Sequence, residues 1–291
     1  MLYLTSEVKN MESIKLLVKG FIIGIGKIIP GVSGAMFAMI FGVYEKAVEI
    51  ISDLRKLKGN FKFMFLLGIS ILIAILCGSK VINYCLDNYY LWTMLFFIGM
   101  MASGIKPLFK NVEGKKITKK NLLISLFVVI ILAVMSCVDM EGITKNLDRS
   151  FITILLIFIS GIIDAVGTVI PGVCGTALLM MVGYYDKVIS SLSNLLTFTN
   201  MSETLFVLIP FVIGLVLGII LVSKLITYLF KNFNTTVHCS IIGFAISSTI
   251  ILLVKAFAVS FTIKELVIGI ILFIVGFILT YLIENKLFKS N

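Results

Sequence analysis

Ten apolar stretches of helical length fill most of the chain, at residues 12–29, 31–52, 63–86, 90–109, 121–138, 151–169, 172–195, 204–230, 237–256 and 264–284. About 20 apolar residues in a helix cross the roughly 30 Å of bilayer hydrocarbon. Most of these stretches are long enough. Those ending before Pro30 and Pro171 are short and broken by glycine. Charged residues make up only 14% of the 291, and hydrophobic residues 59%. A soluble domain carries roughly 25% charged residues, and disorder needs high charge with low hydrophobicity. Both classes are excluded. The chain reads as an all-α polytopic membrane protein.

The chain also repeats itself. Gly26-Lys-Ile-Ile-Pro-Gly-Val-Ser-Gly34, followed by Gly42-Val-Tyr-Glu-Lys46, returns as Gly167-Thr-Val-Ile-Pro-Gly-Val-Cys-Gly175, followed by Gly183-Tyr-Tyr-Asp-Lys187, at a constant offset of 141. Further on the offset becomes 144, matching Ser79-Lys80 with Ser223-Lys224, Tyr84 with Tyr228 and Gly99 with Gly243. Two units follow. Residues 1–138 hold a Pro-Gly-broken hairpin (12–52) and helices 63–86, 90–109 and 121–138. Residues 139–291 hold a second hairpin (151–195) and helices 204–230, 237–256 and 264–284.

Lysine and arginine fix the expected orientation. The N-terminal 19 residues, segments 53–62 and 106–120, Lys231, Lys286 and Lys289 together carry sixteen, whereas segments 87–91, 139–150, 193–203 and 255–264 carry four. By the positive-inside rule the first set, with both termini, is cytoplasmic. The net charge of +10 thus belongs to membrane-flanking loops and not to a nucleic-acid surface. Each hairpin leaves and returns to one side and three crossings follow, so the second unit is the first upside down. Inverted repeats with short, Gly/Pro-interrupted segments at matching positions mark broken helices around a transport site. Re-entrant hairpins are expected, although full crossings would give the same parity.

A helix beginning at Pro30 loses nothing at its first position and presents the amides of Gly31, Val32 and Ser33, ahead of Gly34. The second copy offers Pro171, Gly172, Val173, Cys174, Gly175 and Thr176. Two such N-termini facing one another form an anion site that suits a phosphate or carboxylate. The bland reading is a tight turn with glycines packing helices. Lys27, three residues before the tip, is a charge at membrane depth and a functional candidate. Asp164, deep in an apolar run, is its candidate ion-pair partner or a carrier of a coupling ion. Lys46, Lys80, Lys187 and Lys224 place one lysine of each repeat pair at each face. They either receive and release an anionic headgroup or simply snorkel to the interface. Glu45 and Asp186 sit beside two of them as local ion-pair candidates. The five scattered cysteines lack any C-x-x-C spacing, and His238 is the sole histidine. They imply no disulfide framework, metal centre or cofactor. Leu16 to Pro30 reads as mature structure and not as a cleaved leader.

Ile29-Pro-Gly-Val-Ser-Gly34 with Gly42-Val-Tyr44, and Ile170-Pro-Gly-Val-Cys-Gly175 with Gly183-Tyr-Tyr185, resemble the PopT-type undecaprenyl-phosphate translocase family of bacterial membrane proteins. The family pattern continues Gly-Gly-Thr after Pro-Gly-Val-Ser; here it reads Gly34-Ala35-Met36 and Gly175-Thr176-Ala177. The resemblance implies a lipid partner, an isoprenoid chain bearing one phosphate, returned from the outer to the inner leaflet of a bacterial plasma membrane. The competing expectation is a transporter or channel for a small anion, which the same helix termini would hold. A lipid phosphatase needs a nucleophile, usually His, with arginines to hold phosphate. Arg55 and Arg149 are the only arginines, both in loops, so the chain is not expected to be an enzyme.

Overall fold

The computed structural model describes residues 2–30, 34–137, 149–170 and 172–288. The tip residues Gly31, Val32, Ser33 and Pro171, and residues 138–148, lie outside this set. All regular structure among the described residues is helical. The first unit consists of α1 (Leu2–Ile28), α2 (Gly34–Ile40), α3 (Tyr44–Ser52), a short 3-10 turn (Leu54–Lys56), α4 (Leu57–Asn88), α5 (Tyr90–Lys110) and α6 (Lys119–Cys137). The second consists of α7 (Phe151–Val169), α8 (Gly175–Met181), α9 (Tyr185–Thr197), α10 (Met201–Phe257) and α11 (Ile263–Phe288). Five described helices, α4, α5, α7, α10 and α11, are long and apolar enough to cross a membrane. The chain is a multi-pass membrane protein.

Three local breaks shape the chain path. Neither expected return limb, 31–52 or 172–195, is one helix. Each divides at a glycine with positive φ, Gly42 at 67° and Gly183 at 74°. Around the first, Gly42 N–H donates to Met39 O and Val43 N–H to Ala38 O. Around the second, Gly183 N–H donates to Met180 O and Tyr184 N–H to Leu179 O. This is the Schellman arrangement, in which a left-handed glycine closes a helix C-terminus. At the second tip the short helix starts later than expected, at Gly175 and not at the proline. At the second tip the amide of Val173 donates to Ile170 O and Gly172 has φ 85°. That is the bond and the third-residue conformation of a type II turn, so the Val173 amide is committed to the turn. With seven residues each, α2 and α8 are only about 10 Å long.

The third break lies in α10, where one stretch stands for the two expected spans 204–230 and 237–256. Phe233 has non-helical φ/ψ of −136° and 38°, close to the −141° and 49° of Tyr89, which separates α4 from α5. The surroundings match as well. Tyr84 and Tyr89 meet edge-on at 6.4 Å, and Tyr228 and Phe233 at 6.5 Å. Asn88 and Asn232 each donate to the carbonyl four residues back, Tyr84 O and Tyr228 O. The rings of Phe230 and His238 approach to 5.4 Å, whereas eight residues of straight helix would rise about 12 Å. The chain therefore turns at Phe233, and α10 consists of two limbs.

Matched contacts run through the whole packing. α1 packs on α4 through Gly20 and Gly24, facing Leu67 O and Ala74. α7 packs on the first limb of α10 through Gly161 and Ala165, facing Phe211 O and Gly218. Gly99 of α5 meets the backbone of Phe273 in α11, and Gly243 of the second α10 limb meets Ser125 in α6. Small residues let helix backbones approach closely where lipid offers no hydrophobic drive between helices. Large exposed side chains such as Leu122, Phe127, Phe151, Leu221 and Ile263 form the outer surface.

Candidate functional site

The ends of α1 and α7 come together in the interior. Tyr44 Oη donates to Val169 O at 2.6 Å, and Tyr185 Oη donates to Ile28 O at 2.8 Å. Tyr44 and Tyr185 are repeat mates, as are Ile28 and Val169, so each unit caps the broken helix of the other. The acceptors are the last residues of α1 and α7, whose carbonyls have no partner within their own helix. Tyr185 is 1% exposed.

One turn from these caps lies a charged pair. Lys27 Nζ is 2.5 Å from Asp164 Oδ1, with the two side chains 14% and 3% exposed. Thr168, the repeat mate of Lys27, instead donates its hydroxyl to the backbone oxygen of Asp164. Both short helices begin against this pair. A methyl added at Gly34 would lie 3.4 Å from Lys27 Cβ; one added at Gly175 would lie 3.1 Å from Lys27 Nζ and clash with the Asp164 carboxylate. Asp164 thus fills the space beside the start of α8, and the helix dipole favours its negative charge there. A carboxylate of the chain itself therefore lies beside the second tip, the expected place of an external anion. Cys174 Sγ and Thr176 Oγ1 lie 3.0 Å apart in the buried wall behind it.

Two cavities flank α8, whose residues are all buried. A polar cleft of about 600 Å³ is lined by Asn83, Asp87, Asp186, Lys187 and Lys255 and reaches Met180 and Tyr185. Lys187 pairs with Glu203. Lys255 donates to Met180 O and Met181 O at 3.0 and 3.3 Å, closing the C-terminus of α8. On the other side of α8, an apolar groove of about 830 Å³ reaches Ile170, Val173 and Leu178 and ends at Lys120, Asn121, Thr236 and Ser240. Asn121 Oδ1 accepts from Thr236 Oγ1 at 3.0 Å.

Of the four lysines expected to meet a headgroup, Lys187 lines the cleft. Lys80 and Lys224 are exposed on α4 and α10, and Lys46 lies over the Phe63 ring at 4.6 Å. None of these three lines either cavity. Glu45 is exposed on the first turn of α3. Lys255 and Lys120 are the additions. Both sit at the ends of apolar stretches, where sequence counting treats them only as topology markers.

The profile of the VCA0040-like family, described as undecaprenyl phosphate translocase-like, matches residues 23–265. A polyprenyl-phosphate transporter of Vibrio cholerae serotype O1 is 24% identical over 247 residues, covering 78% of this chain and 73% of the relative. A polyprenyl-phosphate transporter of Staphylococcus aureus is 27% identical over 240 residues, covering 80% and 83%. No solved structure matches the chain.

Proposed function

The chain belongs to the VCA0040-like, undecaprenyl phosphate translocase-like family, and on that premise we propose that it moves undecaprenyl phosphate from the outer to the inner leaflet of a bacterial plasma membrane. Both termini are cytoplasmic in this reading, and the two units are inverted repeats with re-entrant hairpins. The observation that carries it is the position of α8, a seven-residue buried helix with a lysine-bearing polar cleft on one side and a long apolar groove on the other. A lipid phosphate needs both a path for charge and a path for hydrocarbon. A small anion, the competing substrate, has no use for the groove.

The phosphate enters the cleft at Lys187 and Lys255 and reaches Lys27. There it competes with Asp164 for the ammonium, close to the starts of α2 and α8. Tyr44 and Tyr185 hold the two broken helices in register while α8 swings on Gly172 and Gly183. Buried charge is costly without a partner, so the Lys27–Asp164 pair keeps the empty site closed and the arriving phosphate opens it. Asp164, released, takes up a proton or a cation. The headgroup leaves toward the lysine-rich face. Nothing in this cycle breaks a covalent bond.

Transbilayer movement of undecaprenyl phosphate in vesicles containing the purified protein tests the reading against protein-free vesicles. Faster movement with the protein is expected. Equal rates, with and without proton and sodium gradients, would remove the lipid and leave a small anion as the substrate.

A further inference from the structure

We infer that the groove between α6, α7 and α10 is a seat for the isoprenoid chain of the substrate, with its phosphate at Lys120 as the lipid leaves the protein. This rests on the reading of the chain as a polyprenyl phosphate transporter and assigns the tail a place in it.

The shape comes first. Asn121, Ile124, Val128 and Leu132 line the groove from α6. Their spacing of three or four residues lays them along one stripe, and from Lys120 to Leu132 that stripe runs about 18 Å. The groove is therefore as long as a stretch of several isoprene units. It is also recessed. Leu132, Val173, Leu178, Ile226 and Phe244 line it and are each 8% exposed or less. The opposite face of the same helix is different, with Leu123 at 65%, Leu126 at 53% and Ile130 at 51%. One side of α6 meets ordinary lipid, and the other encloses a space inside the helices.

Polarity then runs one way. The inner end, at Ile170, Val173 and Leu178, is hydrocarbon and abuts the helix that starts on Lys27 and Asp164. The outer end carries Lys120, Asn121, Thr236 and Ser240. A lysine on a flexible stem binds phosphate as a point charge, and the stem itself covers apolar surface. An amphiphile with an anionic head and a long hydrocarbon chain matches this gradient. The head lies at the lysine end and the tail points back toward the centre it has just left. Lys115, whose Nζ–H donates to Asn234 Oδ1 at 2.6 Å, tethers the loop beside the mouth to the turn at Phe233.

The test uses the full chain in vesicles containing a prenyl monophosphate with a photoreactive diazirine on its chain. Adducts are mapped by mass spectrometry. Labelling is expected on Ile124, Val128, Ile163 and Val166, at least about tenfold above Leu123, Leu126 and Ile130. Undecaprenyl phosphate should displace it, and phosphatidylglycerol at the same mole fraction should not. Val128→Trp, which fills the groove from α6, should lower both labelling and transport by about tenfold; Ile163→Trp does the same from α7 if the first variant does not fold. Equal labelling of both faces of α6, or equal displacement by phosphatidylglycerol, would make the groove plain lipid-facing surface and overturn the inference. The two readings fail separately. Groove labelling without transport by the wild type would retain the tail site and reject translocation. Transport with labelling elsewhere would retain translocation and reject the tail site.

Discussion

The ammonium of Lys27 and the carboxylate of Asp164, 137 residues apart, meet at 2.5 Å where the two broken helices converge. The pair breaks the internal symmetry, because the repeat mates are Thr168 for Lys27 and Ile23 for Asp164. The glycines around it remain matched. One unit supplies the cation and the other the anion, and the two are joined electrostatically at the centre.

Removing one partner leaves the other buried and uncompensated. Asp164→Asn and Lys27→Met should each destabilise the protein by roughly 3–5 kcal/mol. The double variant should cost far less than their sum. Thermal unfolding of the four proteins in detergent measures the coupling, and additive losses would show that the pair is not energetically linked.

The reciprocal tyrosine caps should respond unequally. Tyr185→Phe leaves Ile28 O unpaired in a fully buried place and should cost about 1–3 kcal/mol. Tyr44 is only partly buried, so water can replace its hydroxyl and Tyr44→Phe should cost about 0.5–1.5 kcal/mol. Melting temperatures of the two single variants give the comparison.

Gly42 has φ 67° and nothing within 4 Å of a would-be methyl, so substitution there probes backbone alone. Gly42→Ala should cost about 1–2 kcal/mol, and Gly42→Asn should recover part of it because Asn tolerates the left-handed region. Identical losses from both would argue against the Schellman cap as the cause.

At Gly175 the constraint is contact. A methyl there collides with the Asp164 carboxylate and lies 2.6 Å from the Asp164 backbone oxygen, whereas at Gly34 the nearest atom is Ile23 O at 3.1 Å. Gly175→Ala should lower transport of undecaprenyl phosphate by about tenfold or more while Gly34→Ala keeps most of it. The vesicle assay on protein matched for folding decides this, and equal rates would dissociate the ion pair's geometry from transport.

Lys187 is exposed enough for its pair with Glu203 to contribute only about 0–1 kcal/mol to stability. Lys187→Gln should therefore leave the melting temperature nearly unchanged, yet raise the substrate concentration needed for half-maximal transport. Added salt should mimic the variant in the wild type by screening the cleft. A change in maximal rate alone would place Lys187 outside the reception of the headgroup.

Most of the architecture was legible in the residues. Apolar length places the helices, since a bilayer allows few alternatives. Phe151–Val169 is found at the expected bounds and Tyr90–Lys110 within one residue. The duplicated Pro-Gly element, by its own spacing, marks where both helices break, and charge depth singles out Lys27 and Asp164. The exact chain path at the tips was not legible. Where the helix resumes depends on which amides a turn consumes, and Val173 gives its amide to Ile170. Gly42 and Gly183 carried the signal for a second break, but a glycine reveals positive φ only once its neighbours' hydrogen bonds are known. Tertiary structure alone decided which lysines share a cavity. Lys46, Lys80 and Lys224 are matched in sequence yet point away, while Lys255 and Lys120 gain their places from helices distant in the chain. Local sequence fixes which segments are helical, because that preference is set within a few residues and by the solvent around them. Which side chains meet across α8 depends on how the two units pack, a property of the assembled bundle and of no single segment.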